Sequence, residues 1–156
     1  MTRPLPTFNQ RFWAKVSFGD NCWMWSAGLD AYGYGQISRG GKMVKAHRVV
    51  YELTFGPIPT GLVIDHRCHT RACVKPTHLR AVTAKQNSEN RAGAQRNSKS
   101  GVRGVSWDPQ LGKWLAVVTS GGVRYYCGHH AQIEDAARAA RQKRNEIFTH
   151  NMEASA

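Results

Sequence analysis

GLVIDHRCHTRACVKPTHLRAVTAKQNSENRAG, residues 61–93, brings Asp65, His66, Cys68, Cys73, His78 and Asn87 into one stretch. Leu62, Val63 and Ile64 form a short apolar, β-branched run that reads as a strand. It leads directly into Asp65 and His66, and because side chains alternate across a strand, those two share one site only where the strand is ending. A loop with Cys68, Cys73 and His78 follows. Thr83-Ala84-Lys85-Gln86 then has a hydroxyl residue with a glutamine three positions later, the capping-box pattern, so a helix begins near Ala84 and stops at Gly93. Asn87 falls early in that helix, where its amide competes for backbone hydrogen bonds, and that placement points to a side-chain role.

Two kinds of ligand chemistry separate within the stretch. The carboxylate of Asp65 and the amide of Asn87 are hard oxygen donors suited to Mg2+ or Mn2+. Cys68, Cys73 and His78 are soft thiolates and an imidazole, the set that tetrahedral Zn2+ selects, and they lack a fourth member. The alternative is a group of buried thiols holding no metal.

In order, D-H, C-x4-C-x4-H-L and T-x3-N resemble the ββα-metal fold (His-Me finger) of HNH endonucleases, especially the small phage and homing type. Upstream matches are W-x-W at Trp23 and Trp25, Y-G-Y-G at 32–35, A-H-R at 46–48 and G-P-I-P at 56–59. The resemblance covers roughly residues 20–92. It implies that His66 is the general base and that Asp65 and Asn87 hold a divalent cation. It also places Cys22 beside the loop as the fourth zinc ligand, with His69 and Cys127 as the other candidates. The pattern departs from the family at His78, which stands where the family has its central asparagine.

The chemistry of phosphodiester hydrolysis agrees with those roles. A group titrating near neutrality must take a proton from water, and positive charge must sit beside the phosphate.

Residues 7–10, TFNQ, repeat the capping-box pattern, and Phe8, Phe12 and Val16 follow at helical spacing. Residues 22–25, 34–38 and 43–45 read as strands, the last two joined by an R-G-G-K turn. A helix follows at 47–53, closed by Gly56-Pro57. Arg48 on it is a candidate phosphate contact, whereas His47 reads as a hydrogen-bonded structural residue ahead of a catalytic one.

Residues 91–101, RAGAQRNSKSG, have linker composition. Beyond them come three strand-like runs at 102–107, 113–119 and 123–127, then a helix over 131–148 whose alanines allow close packing on a sheet. R-G-V at 103–105, G-K-W at 112–114, R-Y-Y-C-G at 124–128 and E-D-A-A-R-A at 134–139 resemble the plant ethylene-response-factor (APETALA-type) DNA-binding domain. That resemblance implies that the sheet enters the major groove, with Arg103, Arg124, Tyr126 and Trp107 at the DNA. Strand alternation puts Trp114, Ala116 and Val118 on the helix side.

Composition supports a nucleic-acid partner. There are 22 Lys+Arg against 10 Asp+Glu, a net charge of +12, as expected of a chain that neutralises phosphates. No apolar run approaches a membrane span. Residues 1–10 show no secretory h-region, so the expected setting is the reducing cytoplasm of a host cell, at its nucleoid, with the four cysteines as thiols or ligands.

The expected fold class is α+β. An HNH nuclease domain with structural zinc spans 1–93, a linker 94–101, and a three-stranded antiparallel sheet with one helix 102–150. The expected function is metal-dependent cleavage of double-stranded DNA, targeted by the second domain. The rival is a non-catalytic zinc-containing regulator that binds DNA sequence-specifically, and RNA cleavage is a third reading. Oligomeric state, whether monomer or dimer, stays open.

Overall fold

Thr7 and Thr83 each close a capping box, with the threonine hydroxyl taking the N3 backbone N–H and the N3 glutamine returning to the cap. They start α1 (Phe8–Trp13) and α3 (Ala84–Glu89) where the sequence places them. Both helices stop sooner than the residue pattern implies. α1 is followed at once by β1 (Val16–Ser17), and α3 ends on an Asn90 cap ahead of Gly93.

The computed structural model describes residues 6–149, so the reading of residues 1–10 as free of a leader lies partly outside it. The architecture mixes helices with small antiparallel sheets and divides into two units, Met1–Val82 and Thr83–Ala156.

In the first unit β1 pairs with β2 (Met24–Trp25), β3 (Gln36–Arg39) with β4 (Lys42–Lys45), and β5 (Val63–His66) with β6 (Leu79–Val82). α2 (Ala46–Phe55) lies between the second and third hairpins in the chain. Phe12, Val16, Trp25, Ile37, Val49, Val50, Ile64, Val74 and Leu79 form one buried cluster, with a residue or more from nearly every element. Apolar burial of this kind stabilises by roughly 25 cal/mol per Å². It gives a small unit of two-stranded sheets a common core that no single hairpin has by itself.

The second unit is α3 followed by β7 (Val105–Asp108), β8 (Lys113–Ser120), β9 (Val123–His130) and α4 (Ile133–Ile147). The sheet order is β7-β8-β9, all antiparallel. Val105, Ala116 and Val118 pack with Ala136 and Ala140 of α4, as strand alternation and the alanine-rich face require.

The division at 82/83 falls ahead of the 94–101 stretch, and specific bonds explain why. Glu89, at the end of α3, is 2% exposed. Its carboxylate accepts from Ser120 Oγ on β8 and from Thr149 N and Oγ1 after α4. Arg103 donates to the Ser88, Glu89 and Arg91 carbonyls. A buried carboxylate is tolerated only when hydrogen-bonded, so these bonds hold α3 in the second unit.

Gly104 marks the tightest backbone approach there. Its φ is +79°, and a Cβ would lie 2.7 Å from Val117 O, while its own carbonyl accepts from Val117 N at 2.8 Å. Gly104→Ala adds a left-handed strain and a clash with main chain, so it destabilises by roughly 2–4 kcal/mol. Urea unfolding followed by circular dichroism checks this, and an unchanged midpoint refutes it.

Candidate active site and metal cluster

β5 ends at His66, which satisfies the condition for two consecutive polar residues to be enclosed at one strand end. Asp65 and His66 are both buried. Asp65 lies opposite Arg80 in the hairpin register, and Arg80 Nε donates to Asp65 Oδ2 at 2.9 Å, with Nη2 also 2.9 Å from that oxygen. Bond angles favour Nε as the donor.

His66 Nε2 lies 2.9 Å from the Cys73 carbonyl oxygen. A carbonyl only accepts, so the ring proton belongs on Nε2 and the lone pair on Nδ1. Burial is the largest influence on this ring and holds its pKa below the ordinary histidine value, opposed by the Cys73 bond and by Asp65. His47 packs against it with ring centroids 4.8 Å apart, and Tyr34 with centroids 6.0 Å apart. His47 is itself driven down to about 3 by burial and then by His66. Among the described residues its Nδ1 has no hydrogen-bond partner, while its burial is that of a structural histidine.

The cysteine loop closes on the N-terminal segment through main-chain pairing. Trp25 N donates to Ala72 O and Val74 N to Trp23 O, and Met24 bridges Cys73. Lys75 Nζ ties down the preceding Asp20 and Asn21 carbonyls. Cys22 is thereby drawn to the loop, and the ligand atoms of Cys22, Cys68, Cys73 and His78 all lie within 4.8 Å of one another. Cys22 Sγ and Cys73 Sγ are each 3.6 Å from His78 Nδ1.

These spacings suit the edges of a tetrahedral thiolate and imidazole shell, so the donor set fits zinc. Burial, with Cys68 adding to it, pushes the Cys73 thiol up to about 12; a metal would have to offset that cost to hold a thiolate. His69 is exposed with φ 55°, and neither it nor Cys127, on β9, belongs to the group.

Asn87 lies exposed on α3 in the second unit. Arg48 is exposed on α2. Among the residues expected at DNA, Arg124 and Tyr126 are exposed on β9, on the sheet face opposite α4. Tyr125 and Cys127, which alternate with them, pack toward α4. Trp107 pairs with Trp114 across the register and stacks edge-on at 5.0 Å, so it belongs to the helix-side face at its rim. Arg103 turns toward the carbonyls of residues 88–91 and lies over the Phe148 ring.

Sequence reasoning missed Arg80, Asp108 and His129. Arg80 was findable from the hairpin register opposite Asp65. Asp108 and His129 are distant in sequence, and only the three-stranded sheet brings them together.

Among the described residues no helix is long and apolar enough to cross a membrane. The family model for HNH endonuclease matches residues 44–89, and that for the AP2 domain matches 100–150. The chain is 40% identical to Protein 7.7 of Escherichia phage T7 over 80 residues, which are 51% of this chain and 62% of that one. It is 31% identical to Protein 3.8 of the same phage over 103 residues, 66% of this chain and 84% of that one. An uncharacterized HNH endonuclease of Acanthamoeba polyphaga mimivirus is 30% identical over 109 residues, 69% of this chain and 54% of that one. The chain thus spans less than two thirds of the length of Protein 7.7. No solved structure gives a significant match. The chain thus carries an HNH endonuclease domain match at residues 44–89, followed by an AP2 domain match at residues 100–150.

Proposed function

We propose that this protein is a metal-dependent endonuclease that hydrolyses phosphodiester bonds in double-stranded DNA and is placed on its substrate by the AP2 sheet. The observation that carries the reading is the fixed tautomer of His66. Nε2–H is donated to the Cys73 carbonyl, which leaves Nδ1 as the basic nitrogen of the ring, and burial holds the ring's pKa below the ordinary histidine value. That is the state a general base needs to take a proton from the attacking water.

Asp65 and Asn87 would hold a divalent cation, and their carboxylate and amide oxygens are the ligand types Mg2+ or Mn2+ takes. When bound, that ion supplies positive charge beside the scissile phosphate. Arg80 holds the Asp65 carboxylate in position through the cross-strand contact. Zinc on Cys22, Cys68, Cys73 and His78 is structural, because all four positions are filled by protein.

On the second unit, the open sheet face presents Arg124 and Tyr126, and a ribbon of strands fits the major groove. Arg48 contributes a phosphate contact from the first unit. Supercoiled plasmid incubated with the purified protein and Mg2+ tests the activity, and nicked and linear products separate single-strand from double-strand cutting. No conversion with Mg2+ or Mn2+ would return the chain to a binding protein without catalysis.

Three outcomes follow from these assignments. His66→Ala lowers the cleavage rate by about 10²- to 10⁴-fold with DNA affinity nearly unchanged; parental cutting by this variant sinks the base assignment. Asp65→Ala or Asn87→Ala raises the Mg2+ concentration for half-maximal cutting and leaves zinc content as it was, measured by atomic absorption. Loss of zinc in either shows that the two ligand sets have been confused. Cys22→Ser releases zinc and unfolds the first unit, because structural zinc contributes roughly 10–16 kcal/mol of apparent binding energy to folding in small modules. An unaltered melting curve with full zinc removes Cys22 from the shell.

A further inference from the structure

The open face of the β7-β8-β9 sheet holds a hydrogen-bonded row of three side chains that neither the nuclease chemistry nor arginine readout uses. Asp108 Oδ2 is 2.9 Å from His129 Nε2, and His129 Nδ1 is 2.6 Å from Tyr126 Oη. All three lie on the face opposite α4. Tyr126 and His129 oppose Val117 and Leu115 on β8, while the alternate residues of β9 and β8, Tyr125, Cys127, Ala116 and Val118, pack toward the helix. Asp108 and His129 are partly shielded, whereas Tyr126 is 64% exposed with Arg124 beside it on the same strand.

When His129 is neutral, donor and acceptor rules fix the direction of every proton in this row. The ionised Asp108 carboxylate only accepts, and its pKa is held low chiefly by the His129 bond. A neutral imidazole therefore carries its proton on Nε2 and its lone pair on Nδ1. Tyr126 must then donate its hydroxyl proton to His129, and the phenolic oxygen faces outward as an acceptor alone. An outward acceptor repels phosphate oxygens, and also guanine O6 and N7 and thymine O4. It accepts from the groups in the major groove that donate, the exocyclic amines of cytosine and adenine.

We infer that Tyr126, oriented by His129 and Asp108, is a specificity-determining residue that reads an exocyclic amine of cytosine or adenine in the major groove. This rests on the proposal that the sheet face binds DNA. Arg124, an obligate donor, has the opposite preference on the same strand, so together the two would distinguish the strands of one recognition site.

Asp108 allows the polarity to be inverted without changing the shape. Its other oxygen, Oδ1, already accepts from Gln110 N and Leu111 N. In Asp108→Asn those two backbone donors hold the amide oxygen, so the NH₂ group must face His129. The ring proton then moves to Nδ1 and is donated to Tyr126, and the tyrosine hydroxyl turns outward as a donor. The variant should prefer guanine or thymine at the position where the parent prefers cytosine or adenine. Tyr126→Phe should show no preference between them there.

The test is selection of bound sequences from a pool of randomised duplex DNA by the full-length chain. It is run at mildly alkaline pH without added divalent cation, and followed by affinities on single duplexes. Replacing the read adenine by purine, or the read cytosine by pyrimidin-2-one, deletes the amine and nothing else. The parent should lose roughly two- to tenfold in affinity on that change, the range of one net hydrogen bond, and Tyr126→Phe should be indifferent to it. Removing the Asp108 charge strengthens binding to every duplex alike, so the ratio between bases is the readout. Unchanged base preference in both variants overturns the inference, as does equal loss on selected and random duplexes in Tyr126→Phe. A parent that binds duplex DNA with no preference also overturns it while leaving DNA targeting intact. A parent that binds no duplex overturns the DNA-binding reading itself.

Discussion

The hydrogen bond from His66 Nε2 to the Cys73 carbonyl is the contact on which the first unit's chemistry depends, because Cys73 belongs to two structures at once. Its sulfur is one of the four clustered ligand atoms, and its carbonyl sets the tautomer of the buried histidine. Its position is fixed from both sides of the chain, by the bridge to Met24 and by its own N–H on Thr70 O. Any disturbance of the cluster therefore reaches the imidazole through one residue's backbone. On the proposed reading, a metal in such a site would stay out of the reaction and would still set the orientation of the proposed base. The depressed pKa of His66 follows from the same burial that the cluster and the hairpin create.

A second constraint acts through Glu89. A carboxylate buried this deeply must be hydrogen-bonded, and its donors come from β8 and from Thr149, just past the α4 cap. The short α3 helix, too brief to be stable alone, takes its order from the sheet and helix of the AP2 domain. Since α3 also carries Asn87, the part of the chain proposed to bind DNA and one oxygen proposed to hold the catalytic cation fold as one unit. The HNH family match, residues 44–89, thus runs past the division between the two compact units at 82/83.

What the sequence made legible was local. The two capping boxes, the strand ending at His66, the hairpin turn at 40–41 and the helix-side set of Trp114, Ala116 and Val118 all depend on patterns within a few residues, and each is present. The gathering of Cys22 with Cys68, Cys73 and His78 depended on a resemblance, because nothing near Cys22 encodes its pairing with residues 72–74. The partners of α3 were not legible: residues 91–101 have linker composition, yet Ser120 and Thr149, far along the chain, bond Glu89, and polar composition says nothing about such long-range contacts. Trp107 lies on the helix-side face because the β7–β8 register puts it beside Trp114, which alternation within β8 alone does not reveal.

Arginine placement shows why net charge is a poor guide to readout. Of the 22 basic residues, Arg80 is committed to Asp65, Arg103 to three carbonyls, and the buried Arg144 to the Arg103 carbonyl. Their charges still add to the long-range field that draws a polyanion in, since that field is a sum over all sites. Their N–H groups, however, are already spent on the fold and offer a base edge little. On the proposed reading, attraction and discrimination are therefore supplied by different residues. The whole basic surface would govern the first, and the second would fall to the few groups on the open sheet face whose donor or acceptor character is set before DNA arrives.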